Sequence, residues 1–204
     1  MTQHTLIRLS LLTAAVLFLL LCILLPLIRL RVRAGVWGLF GPKTPIDQVV
    51  HAGLRLLVIA FMAWVIMVQV FDLSRLDVWR VPLPVTIGGI TLAAGGLALV
   101  ALAQAQMGLS WRIGIDESPT GLVTKGLFKV SRNPIYMGVL VSLLGLVLLT
   151  PSPWTICFFT MAALVISLVV RTEEEHLYAL HGETFMAYAV RVGRFFPFCG
   201  RLSA

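Results

Sequence analysis

Acidic side chains are scarce in this sequence. Nine Asp and Glu stand against 16 Lys and Arg, and charged residues make up 12% of a chain that is 59% hydrophobic. So few charges cannot solvate so much apolar surface, which excludes an ordinary water-soluble domain. Cysteines are few as well. Cys22, Cys157 and Cys199 form no CxxC pair and lie far apart, so they read as small apolar packing residues rather than as a disulfide framework. Cys199 lies too far from the last residue for a prenylation box. No Ser/His/Asp triad, Cys/His pair or phosphate-binding loop is present. His176 and His181 are five apart, which is not the i, i+4 geometry of a helical metal pair, and no third ligand suggests itself. No metal is expected. The net charge of +7 comes from basic residues scattered between apolar runs, with no basic stripe for nucleic acid.

What the chain does have is long apolar runs, at about 6–28, 49–71, 82–104, 134–150 and 154–170. At ~1.5 Å of rise per residue the first three reach roughly 33–35 Å, enough to cross a hydrocarbon core about 30 Å thick. The last two reach only about 25 Å and are joined by Thr150-Pro151-Ser152-Pro153, too short for anything but a tight turn. They form a short helical hairpin. The first run is too long for a secretory signal core and no small-residue cleavage site follows, so it reads as a membrane helix. The expected fold is an all-α integral membrane protein of about five transmembrane helices, with C-terminal cytosolic helices.

Basic residues orient these spans. Arg29, Arg31, Arg33 and Lys43 lie in one loop; Arg112, Lys125, Lys129 and Arg132 lie in another; Arg171, Arg191, Arg194 and Arg201 lie in the tail. The opposite side holds Arg8, Arg75 and Arg80, and Arg55 falls within a span. The positive-inside bias places the N-terminus outside and the C-terminus in the cytosol. Residues 1–104 read as a three-helix transmembrane scaffold and 105–204 as a catalytic region.

From Trp154 to His181 there is no Pro or Gly, so the fifth span is expected to continue as one helix of about 42 Å, with Gly182 as its stop. A short amphipathic helix over about 183–192 follows. In the third span, Gly88-Gly89 and Gly95-Gly96 recur seven apart and put small residues on one face, where another helix can pack closely.

Two polar clusters bracket the hairpin. Arg132-Asn133-Pro134-x-Tyr136-x-Gly138 starts a helix, with Asn133 as cap and Pro134 in the first turn. Its first N–H groups could hold a carboxylate, with Arg132 adding charge and Tyr136 a hydrogen bond. Helix capping alone also accounts for the motif. Glu173, Glu174 and Glu175 stand where the last long helix leaves the membrane, either as a solvated face or as partners for the amino group or hydroxyls of a cofactor. Arg191 and Arg194 either snorkel towards lipid phosphates or grip an anionic substrate group.

Together these residues resemble the isoprenylcysteine carboxyl methyltransferase family, which is related to membrane phospholipid methyltransferases. The resemblance rests on Leu122-Val123-x-x-Gly126, Arg132-Asn133-Pro134-x-Tyr136-x-Gly138 and Glu173-Glu174-x-x-Leu177. His181-Gly182-x-x-Phe185-x-x-Tyr188 and Val192-x-Arg194-Phe195-x-Pro197 follow in order, so it covers about 75 residues. It implies an integral membrane methyltransferase that takes S-adenosyl-L-methionine from the cytosol and a lipophilic substrate sideways from the bilayer. By position it implies Arg132, Asn133, Tyr136 and Glu174 at the cofactor, with backbone around Leu122, Val123 and Gly126. Arg191 or Arg194 would be nearest the acceptor, and Glu173, Glu174 or His181 would take a proton from an amine acceptor. Asn133 replaces the family's usual His, and Leu127 its usual Pro.

Two other classes compete. A nicotinamide-dependent sterol-reductase type resembles the hairpin but favours Arg-x-Pro-Asn-Tyr-x-Gly and then an acid, where this chain has Ile135 before Tyr136 and Val139 after Gly138. A transporter or non-catalytic membrane partner should carry paired polar residues or broken helices at mid-membrane, whereas only Pro26 and Arg55 interrupt these spans. The methyltransferase reading expects Glu174→Ala and Arg132→Ala to abolish cofactor binding in a protein that stays folded.

Overall fold

The computed structural model describes residues 2–35, 45–108, 121–197 and 199–200. Lys43, Arg112 and Arg201, which entered the charge count above, lie outside the described residues. The elements are helical throughout: α1 (Gln3–Leu17), a π-helical stretch (Phe18–Leu24), α2 (Leu25–Ala34), α3 (Pro45–Val70), α4 (Leu83–Met107), α5 (Pro134–Leu149), α6 (Pro153–His181) and α7 (Glu183–Ala189). Among the described residues four helices are long and apolar enough to cross a membrane: Gln3–Arg33, Pro45–Val70, Leu83–Met107 and Pro153–His181. The apolar α5 is shorter, at 16 residues. The architecture is that of an all-α integral membrane protein.

Pro26 does not break the first helix. A proline lacks the N–H that would pair with the carbonyl four residues earlier, here Cys22. Gln104 of α4 supplies the donor: its Nε2 reaches the Cys22 oxygen at 2.8 Å. The local π geometry falls in the turns before the proline.

Helices α4 and α5 pack backbone against backbone. A Cβ on Gly138 would sit 2.7 Å from the Gly96 carbonyl oxygen, and one on Gly145 2.6 Å from the Gly89 oxygen. Two glycine pairs, each seven apart, thus lay one backbone against the other. Of the glycines singled out in α4, Gly89 and Gly96 make this contact, whereas Gly88 and Gly95 have nothing within 4 Å.

Alternate helix ends meet at opposite ends of the bundle. At one end Gln3 Nε2 donates to Thr86 Oγ1 at 2.8 Å, Arg8 Nη2 donates to the Phe71 carbonyl at 2.8 Å, and Trp79 N donates to the Pro151 carbonyl at 2.8 Å. The α5–α6 turn there is closed by Ser152 and Thr155, which cap each other's backbone N–H groups. At the other end the start of α5 meets the extension of α6 and the C-terminal tail. That end carries the polar clusters. Gly182, at φ +52, stops α6 where expected, whereas α7 ends at Ala189 rather than near 192.

Candidate active site

The start of α5 is tied to the tail by backbone and side chain together. Arg132 N donates to the Gly193 carbonyl at 2.9 Å, and Ser131 Oγ accepts from Asn133 N at 3.1 Å while donating to the Arg194 carbonyl at 3.3 Å. The Arg132 guanidinium is then spent inside the protein. Nε donates to Glu174 Oε1 at 2.8 Å, Nη1 to the carbonyls of Ala189 and Val192 at 2.8 and 2.5 Å, and Nη2 to that of Gly200 at 3.0 Å. Two of these acceptors lie just where α7 ends, so the cation caps that helix.

Glu174 is surrounded. Besides Arg132 it accepts from Asn133 Nδ2 at 3.2 Å and from Arg194, whose Nη2 lies 2.8 Å from Oε2. Side-chain exposure is 2% for Arg132 and 7% for Glu174. Burial opposes ionisation of Glu174, but the hydrogen bonds and charges of Arg132 and Arg194 outweigh it and hold its pKa below the ordinary carboxylate value.

Glu173 has a different neighbourhood. The apolar stretch of α6 ends at Val170, so both carboxylates lie beyond it. Adjacent helical residues point roughly 100° apart, and Glu173 turns towards a cavity of about 450 Å³. Its Oε1 accepts from Tyr136 OH at 2.5 Å. Burial pushes its pKa up to about 7, against the Tyr136 hydrogen bond and with the Glu174 charge. Across the cluster, Tyr188 OH donates to the Phe128 carbonyl at 2.6 Å, and burial pushes that phenol up to about 12, against the Arg132 charge.

The cavity collects most of the residues singled out in sequence. Leu122, Val123, Arg132, Asn133, Tyr136, Glu173 and Glu174 all line it. Gly126, Arg191 and Arg194 do not. Gly126 adopts φ +63 and lets the Gln106 side chain press against its α-carbon, where Oε1 accepts from Leu127 N at 2.7 Å. Arg191 is exposed, with Nε donating to the Ala187 carbonyl at 2.8 Å. Arg194 is consumed by Glu174. These three positions lie outside the cavity lining.

The sequence reading missed His176, Leu177, Phe185 and Tyr188 as lining residues, and above all Phe18, Cys22, His51 and Phe61 from the first two spans. A lining position on an apolar span looks like any other apolar position, so no signal marked Phe18, Cys22 or Phe61, while His51 reads in sequence as a side chain snorkelling towards the basic side. Phe185 and Tyr188 were visible as motif residues without a role.

The site therefore offers the Glu173 carboxylate with its phenol partner, the buried Arg132–Glu174 pair, the N-terminal turn of a helix, and apolar walls. Residues 85–184 match the phospholipid methyltransferase family. The matched segment contains α5, α6 and both carboxylates. Over 131 residues the chain is 35% identical to the cobalt-zinc-cadmium resistance protein CzcN of Cupriavidus metallidurans, covering 62% of this chain and 56% of CzcN. Among the described residues no three His, Cys, Asp or Glu gather as metal ligands.

Proposed function

We propose that the protein transfers a methyl group from S-adenosyl-L-methionine to a lipophilic acceptor at the cytosolic face of a membrane. The observation that carries this is the pairing of Glu173 with Tyr136 at the polar end of a cavity whose remainder is apolar. The donor set fits the cofactor. A carboxylate suits its hydroxyls or its positive charge, Leu122, Leu177 and Phe185 give apolar walls for a heteroaromatic ring, and the first N–H groups of α5 suit a carboxylate. When bound, the cofactor supplies a methyl group on a sulfonium, which transfers by in-line displacement.

The chain's own residues position and desolvate. Tyr136 holds Oε1 of Glu173 and so fixes the direction of Oε2. A carboxyl with a pKa near 7 is suited to accept a proton at Oε2 from an N–H or O–H acceptor at neutral pH. The Arg132–Glu174–Arg194 cluster holds α5, α6 and the tail together around it, as a positioning device rather than a contact with the reacting atoms. The basic loops and tail support the cytosolic placement of this end.

The test is methyl transfer itself. Membranes containing the protein, supplied with methyl-tritiated cofactor and a total lipid extract, are expected to move label into the organic phase, and Glu173→Gln membranes at least tenfold less. Equal incorporation by empty membranes would contradict the reading.

A further inference from the structure

The cofactor site leaves the apolar end of the cavity unexplained. Below Glu173 the cavity follows α6 through Ile166 and Ala162 to Phe158, a rise of about 22 Å over fifteen residues at 1.5 Å each. Along the opposite wall it runs past Tyr136 to Leu149, about 20 Å by the same rise. This lower limb is apolar. Its one hydroxyl, Ser142 Oγ, is already donated to the Ala93 carbonyl at 3.2 Å. A polar, charged cofactor gains nothing from such a wall, whereas a chain of methylenes does.

The limb has a floor. Phe61, Leu146 and Phe158 line it, and the same three residues line a second cavity of about 180 Å³ together with Trp64, Trp154 and Thr155. These three side chains are common to both cavities. We propose that the lower limb binds the aliphatic chain of the methyl acceptor inside the protein, and that Phe61 and Phe158 set the longest chain it accepts. This rests on the methyltransferase reading for the word acceptor. The chain-binding limb itself rests on the cavity alone.

The physical consequence is a length limit. Each methylene that finds apolar wall gains about fourfold in affinity, and each that meets Phe61 or Phe158 gains nothing. Removing the Phe158 ring joins the two voids and moves the limit to longer chains. Enlarging Ala162, one turn nearer the polar end, blocks the shaft and moves it to shorter ones.

The full-length protein is incubated with an equimolar homologous series of n-alkyl alcohols, and the retained chain lengths are read by native mass spectrometry. Wild type is expected to show a sharp upper limit. Phe158→Ala should retain chains above that limit about fourfold better per added methylene, and Ala162→Leu should lose the longest chains that wild type keeps. Titration of the same three samples with S-adenosylhomocysteine separates the two claims. Unchanged binding of that ligand with shifted length limits supports both claims, and shifted limits without such binding retain the ruler but remove the methyltransferase. Failure to retain any chain, retention without an upper limit, or the same limit in all three proteins would overturn the inference.

Discussion

Glu173 and Glu174 are neighbours in sequence with different partners in the fold. Glu174 is locked between two guanidinium groups, so Glu174→Gln strands the buried Arg132 charge. It should cost about 3 kcal/mol or more, read as a lower unfolding temperature in detergent. Arg132→Ala should behave alike, since four acceptors lose their donor. The motif alone expects loss of cofactor binding in an intact fold, and measuring unfolding temperature beside S-adenosylhomocysteine binding separates the two outcomes. Glu173→Gln should leave stability nearly unchanged at acidic pH, raise it above wild type near and above pH 7, and weaken S-adenosylhomocysteine binding by roughly tenfold, the scale of one charged hydrogen bond. Burial raises the Glu173 pKa above its unfolded value, so the folded state holds the extra proton and stability falls as pH rises from about 4.5 to about 7. Glu173→Gln should flatten that slope. The pair was legible in the sequence as a pair. Which member meets the arginines was not, because Arg132 and Arg194 arrive from segments far away in the chain.

Helices were legible where periodicity and punctuation agree. The hairpin turn at Thr150–Pro153, the uninterrupted α6 and its stop at Gly182 all follow from local sequence. Pro26 was less legible, since its effect depends on Gln104, 78 positions away, which takes over as donor to the stranded Cys22 carbonyl. The end of α7 was not legible, because it is set by the Arg132 guanidinium rather than by a local stop residue. The glycine pairs of α4 showed a close-packing face but not which glycine of each pair meets a partner. That depends on Gly138 and Gly145 in α5. Gly138→Ala should therefore cost about 1–3 kcal/mol by overpacking, while Gly88→Ala, with open space at its α-carbon, should be neutral or slightly stabilising in a thermal unfolding assay.

At the scale of the whole molecule, the division into a scaffold of residues 1–104 and a catalytic region of 105–204 does not partition the cavity. Its wall draws on Phe18, His51 and Phe61 as well as on Tyr136, Glu173 and Phe185. Motifs mark the polar end because polar residues near a membrane are costly and stand out. The apolar limb left no mark, since every residue that builds it also suits a lipid-facing span. The central claim is that the polar end of this cavity takes S-adenosylmethionine. It is tested most directly by calorimetric titration of the purified protein with S-adenosylhomocysteine, with NADPH in parallel. Saturable binding of the first alone, weakened in Glu173→Gln, is the expected result. Binding of NADPH alone, or of neither ligand, would contradict it.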